Sequence, residues 1–180
     1  MKRRFGKATS VAYKVALVGI MAATVECGKL VLAPIPNVEV VTFLLALYGY
    51  AFGSLGVISA FVFVSIEPLI YGFGAWVVSY YLYWTFVSLV FMLLARLHAK
   101  NRFVLAGAAV LLTAWFGVLT SLVDIGLFSG SFDNFWYRFA VYYTRGALFY
   151  ITQIICNAVL FGFLFKNFAD KLSKVKKNFI

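Results

Sequence analysis

The sequence predicts an all-α membrane protein, a single domain of six transmembrane helices with both termini in the cytoplasm. Three observations carry that expectation. Of 180 residues, 64% are hydrophobic and 12% charged, and mean hydropathy is +0.95. A soluble domain has roughly a quarter of its residues charged to cover its surface. The apolar residues also fall in long runs, and a helical span needs about 20 of them, so 180 residues leave room for six spans and little else. Finally, the net charge of +10 is gathered into three clusters. These are Lys2-Arg3-Arg4 with Lys7, then Arg96, Lys100 and Arg102, then Lys166 with Lys171, Lys174, Lys176 and Lys177. Basic clusters between apolar runs mark cytoplasmic loops and tails and suit anionic lipid headgroups. The same distribution argues against nucleic acid as a partner.

Span one runs from about Thr9 to Leu32, with Thr9 or Ser10 as N-cap candidates. Its basic start resembles a signal peptide, but Glu26, Lys29 and Pro34 follow in place of a small-residue cleavage site, so a retained first helix is expected. Two prolines in Ala33-Pro34-Ile35-Pro36-Asn37 break it, because each forces the preceding residue out of helical conformation. Asn37 is then placed to cap the next helix, with Glu39 in its first turn.

Span two, Val38 to about Phe52, turns at Gly53-Ser54-Leu55-Gly56 into span three, which runs to about Tyr71 and ends in Gly72-Phe73-Gly74. Both are short for a bilayer, and a re-entrant pair is the alternative reading. Span four runs from about Trp76 to Leu97, span five from Phe103 to about Phe128, and span six from about Trp136 to Phe168. No internal repeat is visible. With six spans, Lys and Arg collect on the side of the termini, which makes that side cytoplasmic.

The six acidic residues are informative because they are few. Asp170 belongs to the tail, a basic segment from residue 169 onward. Glu26, Glu39, Glu67, Asp124 and Asp133 all fall in the outer half, as do Lys29, Arg138, Arg145 and the three prolines. Ionisable groups in spans are costly, so they line cavities or pair with one another. Glu67 precedes Pro68, whose missing N–H frees a carbonyl one turn earlier. Trp76, Tyr80 and Trp84 recur at spacings of four and form one helix face, with an interfacial aromatic belt as the plainer reading for Trp76 and Trp136. Arg145 is placed either as a ligand contact or as a salt-bridge partner of Glu67 or Asp124. Gln153 and Asn157 lie deeper in the same span.

Ala12, Ala16, Gly19 and Ala23 recur at spacings of four, three and four and form a small-residue stripe on span one. Such stripes let a helix approach a neighbour closely, whether inside the bundle or in another protein. Cys27 and Cys156 lie in apolar stretches and make no CxxC motif. His98 is the one histidine, and HExxH, Walker A and GxSxG are absent. No catalytic residue, metal site or cofactor is therefore expected.

The small stripe Ala12-x-x-x-Ala16, the loop Ile35-Pro36-Asn37-Val38-Glu39-Val40-Val41-Thr42, the segment Tyr71-Gly72-Phe73-Gly74-Ala75-Trp76 and Asn157 together resemble a known family. It is that of the substrate-binding S components of energy-coupling factor (ECF) vitamin transporters. The resemblance covers most of the chain in length and span order, and its most specific motif is the Pro-Asn-Val-Glu loop. Ala75 departs from the pattern, since relatives with a similar loop often carry proline before the tryptophan.

The resemblance implies six helices and a ligand pocket on the outer side, closed by the loops after spans one, three and five. It also implies a membrane coupling protein docked on the stripe of span one, and two cytoplasmic ATPases bound to that partner. Asn37 and Glu39 then fall in the first capping loop and Trp76 in the second. The expected ligand site comprises Asn37, Glu39, Glu67, Tyr71, Trp76, Tyr80, Trp84, Arg145 and Asn157. Both signs of charge and many aromatics suit a conjugated or amphipathic vitamin-like molecule, such as a cobalamin, pantothenate or a pyridoxine-like ring. Two rival readings are a structural or assembly protein and a self-sufficient secondary carrier, the latter without an inverted repeat in its support.

Overall fold

The computed structural model describes residues 7–179, with side chains from 11 to 176. Every regular element among them is helical. In chain order these are α1 (Lys7–Leu32), α2 (Val41–Phe52), α3 (Ser54–Tyr71), α4 (Trp76–Arg96), α5 (Arg102–Phe128), α6 (Phe135–Arg145), α7 (Ala147–Leu160), a π-helical turn (Phe161–Phe165) and α8 (Lys166–Phe179). Thr9 and Ser10 fall inside α1, and their side chains lie outside the described residues, as do the first basic cluster and Lys177.

Five helical segments are long and apolar enough to cross a membrane: Val11–Leu32, Ser54–Tyr71, Trp76–Arg96, Arg102–Phe128 and Ala147–Lys176. Their outward faces are apolar. Leu69, Leu111, Leu148 and Phe163 are each 72 to 80% exposed, and burying such side chains is what a hydrocarbon solvent does. The chain is a multi-pass membrane protein.

The expected second span is shorter than a full crossing. α2 has 12 residues, about 18 Å of helix against a hydrocarbon core of about 30 Å. Residues 38–40 remain loop, so this helix begins three residues later than expected. It is also the most enclosed element. Ten of its residues are buried, between α3 and α4 and against α8. Gly49 allows that packing, since a Cβ there would collide with the carbonyl oxygen of Ser88 on α4. The turn into α3 needs Gly53, whose φ of 66° is a conformation that side chains resist.

The expected span six is corrected at both ends. Phe135–Arg145 forms a separate helix with no buried residue, an amphipathic one in which Arg138 and Arg145 share one face and Trp136, Phe139, Ala140 and Tyr143 the other. The crossing segment starts at Ala147 and runs through the π-helical turn into α8 without a break at Phe168. The wider turn stacks Phe161 on Phe165 at 4.7 Å between ring centroids. It also brings both rings against Phe43 of α2 and Phe91 of α4, at 5.1 to 5.9 Å. Aromatic clusters of this geometry add about 0.5–1.5 kcal/mol per pair beyond area burial, and this one ties the C-terminal helix to the core.

Candidate functional site

The loop between α1 and α2 organises one end of the bundle. Asn37 takes a left-handed conformation, with φ of 64°, which asparagine tolerates better than most residues. That turn places Glu39, rather than Asn37, at the start of α2. Glu39 Oε2 accepts from the Thr42 backbone N–H at 2.9 Å, and Oε1 accepts from the Thr42 hydroxyl at 2.6 Å. The cap expected of Asn37 is therefore made by a carboxylate, which can reach an orphan N–H and also suits the helix dipole. Asn157 of α7 donates to Glu39 Oε1 at 3.0 Å and to the Thr113 hydroxyl of α5 at 3.1 Å. Asn157 is fully buried, so it fastens the loop to two helices from behind.

Beside this loop lies a cavity of about 210 Å³. The loop supplies Ile35, Pro36, Asn37, Val38 and Glu39 to its wall. Phe63 of α3, Tyr80 and Trp84 of α4, and Phe149 and Gln153 of α7 complete it, with Lys29 from the last turn of α1. The aromatic face expected on α4 is continuous. Trp76 meets Tyr80 at 4.9 Å and Tyr80 meets Trp84 at 5.9 Å, both edge-on. Trp84, at the inner end of this ladder, is 5% exposed.

A charged cluster adjoins the cavity. Glu67, 1% exposed on α3, pairs with the Lys29 ammonium, which also stands 4.0 Å above the centre of the Tyr71 ring. The Glu26 carboxyl is close enough to interact with that of Glu67. It is 8% exposed and turns to the inner face of α1, beside Met21, Ala22 and Val25.

The structure thus brings eight of the nine expected residues to one end of the bundle, in different roles. Asn37, Glu39, Tyr80 and Trp84 line the cavity. Glu67 and Tyr71 hold Lys29, Trp76 extends the ladder, and Asn157 braces the loop. Arg145 is exposed at the end of α6 and does not line the cavity. Neither salt bridge considered for it forms, since the partner of Glu67 is Lys29.

Lys29, Phe63, Phe149 and Gln153 were not among the expected ligand residues. Lys29 carried a usable signal, a cation one helical turn from Glu26 in an apolar run. Nothing distinguished Phe63 and Phe149 among 20 phenylalanines.

Ala12, Ala16, Gly19 and Ala23 all face outward from α1. The opposite face, with Val18, Met21, Ala22 and Val25, is buried. A Cβ on Gly19 would meet nothing within 4 Å. Among the described residues, none buries this stripe.

Taken together, the site combines flat apolar walls with a few fixed polar groups, the arrangement of small-molecule pockets. Among the described residues, no group of three or more His, Cys, Asp or Glu side chains is placed to hold a metal ion. Comparison of the chain with protein-family models, curated proteins and solved structures finds no match.

Proposed function

We propose that this protein is the substrate-binding membrane subunit of an ECF-type importer, taking up a vitamin or related micronutrient. The observation that carries the reading is the cavity, which the Pro-Asn-Val-Glu loop helps to enclose and which aromatic, amide and charged side chains line. In this reading the cavity faces the outside and the termini lie in the cytoplasm. α2 serves as the sixth, shortened crossing. The outward stripe of α1 supports docking of a membrane coupling protein, through which two cytoplasmic ATPases drive release of the ligand.

The test is to purify the protein and identify any bound small molecule by mass spectrometry. A stoichiometric micronutrient-like ligand is expected. Absence of any ligand, and of saturable binding across a vitamin panel, would return the chain to the structural class. Uptake by this chain alone, in cells without a coupling module, would make it a carrier instead.

A further inference from the structure

We propose that the groove between Lys100 and Lys166, at the end of the bundle opposite the cavity, binds the headgroup phosphate of one anionic phospholipid. This holds whatever the cavity binds.

Two short segments concentrate positive charge there. Residues 96–102, from the end of α4 to the start of α5, and residues 166–176 of α8 together hold seven lysines and arginines and one acid, Asp170. Among the described residues, none of the seven forms a salt bridge. Arg102 and Lys171 rest over the rings of Phe103 and Phe168, at 5.8 and 5.9 Å from the ring centres. Lys100 and Lys166 have no such contact among the described residues, and both line one small groove with Tyr50, Leu105 and Ala169. Leu105 and Ala169 are buried, and the Tyr50 hydroxyl already donates to the Ala99 carbonyl at 2.8 Å. These three offer the two ammoniums no negative charge, and Asp170 is the one carboxylate on the rim.

The level of the groove in the membrane fits a lipid phosphate. Helix from Ala147 to Lys166 measures roughly 28 Å, close to a hydrocarbon core of about 30 Å. Lys166 therefore falls at one edge of the core when Ala147 stands at the other. Exposed apolar side chains lie on the membrane side of both lysines, Phe163 and Leu164 before Lys166, and Phe103 and Val104 after Lys100. A basic pocket between helices at that level is where anionic headgroups bind.

Size and charge select the ligand. The groove holds about 10 Å³, room for about one water-sized group. It cannot enclose a whole phosphate, so an anion sits on the rim and must be held from elsewhere too. Acyl chains against the exposed apolar side chains supply that hold, and a soluble anion has none. At the rim, two ammoniums around one phosphate make charge-assisted hydrogen bonds. A choline headgroup would bring a further cation among the lysines and arginines of these segments, whereas a glycerol headgroup brings none.

Phosphatidylglycerol is the probe, with phosphatidylcholine of the same chains as its comparison. The full chain is reconstituted in nanodiscs of the two lipids mixed, and native mass spectrometry counts the lipids that stay bound on release. One phosphatidylglycerol is expected to remain on the unaltered protein, and no phosphatidylcholine. Lys100→Gln combined with Lys166→Gln should weaken its retention by about tenfold or more. Lys171→Gln combined with Lys174→Gln removes as much charge outside the groove and should leave retention within about threefold. Asp170→Asn should strengthen it. Equal retention of phosphatidylcholine by the unaltered protein would overturn the inference, whatever the variants do. So would an equal loss with the Lys171 and Lys174 pair, which would mean a diffuse basic surface and no site. Displacement of the lipid by an equal concentration of glycerol phosphate would also overturn it, because the ligand would then be a soluble anion.

Discussion

Lys29 and Glu67 show how a single contact can shape both stability and a site. Glu67 is 1% exposed, and its partner ammonium lines the cavity. Breaking a buried pair leaves one charge uncompensated and costs about 3–5 kcal/mol, whereas replacing both partners by apolar groups can be nearly neutral. Lys29→Met is therefore expected to lower thermal stability sharply, and adding Glu67→Met should recover most of the loss. A double-mutant cycle on thermal midpoints measures this, and additive effects would make the pair incidental. Glu67→Gln should weaken ligand binding, because Glu67 positions the Lys29 ammonium that lines the cavity. Arg145→Gln should leave affinity unchanged, because Arg145 is exposed and does not line the cavity. Equilibrium binding of the co-purified ligand to both variants decides the matter.

At the scale of helices, two glycines make opposite predictions. Gly49 sits where α2 meets the backbone of α4, and Gly19 sits on the open face of α1. Gly49→Val should abolish folded expression, since overpacking against backbone cannot be relieved by a rotamer change. Gly19→Val should leave the isolated protein folded, and so should Ala16→Trp. In a coupled transporter, however, bulk on the outward stripe should block docking, because membrane helices associate by close packing of small residues. The measurement is pull-down of the coupling protein and uptake, alongside ligand binding to the isolated subunit. Loss of expression with Ala16→Trp would count against a reserved docking face.

For the molecule as a whole, the cavity and the C-terminal basic helix lie at opposite ends. Val41 of α2 lines the cavity. Tyr50 of the same helix, about 14 Å further on, borders a groove with Lys100, Lys166 and Asp170. With Cys27 and Cys156 replaced, single cysteines at Ser131 and Ser173 should label from opposite sides of the membrane. Labelling of both from one side would sink the six-crossing arrangement. Positive residues are retained on the cytoplasmic side, so reagent added outside should reach Ser131 alone.

Residue composition and the rhythm of apolar and basic segments were enough to place this chain in a membrane and to bound α1, α4 and α5 closely. A lipid solvent imposes that pattern on every turn of an outward helix, so it can be read locally. The same holds for the Trp76, Tyr80 and Trp84 ladder and for the α1 stripe, because positions four apart share a face in any helix. What tertiary structure decided was which face met which neighbour. The stripe could have packed inside or outside, and only the rotation of α1 against α3 turned Glu26 inward and Ala16 outward. The start of span six depended on the break at Gly146 between α6 and α7, and its continuation on a π-helical turn that local sequence does not announce. Likewise Lys29, rather than Arg145, became the partner of Glu67, and Gln153 joined Trp84 at one cavity. These pairings join positions tens of residues apart, and their geometry is set by helix crossing and close packing rather than by spacing along the chain.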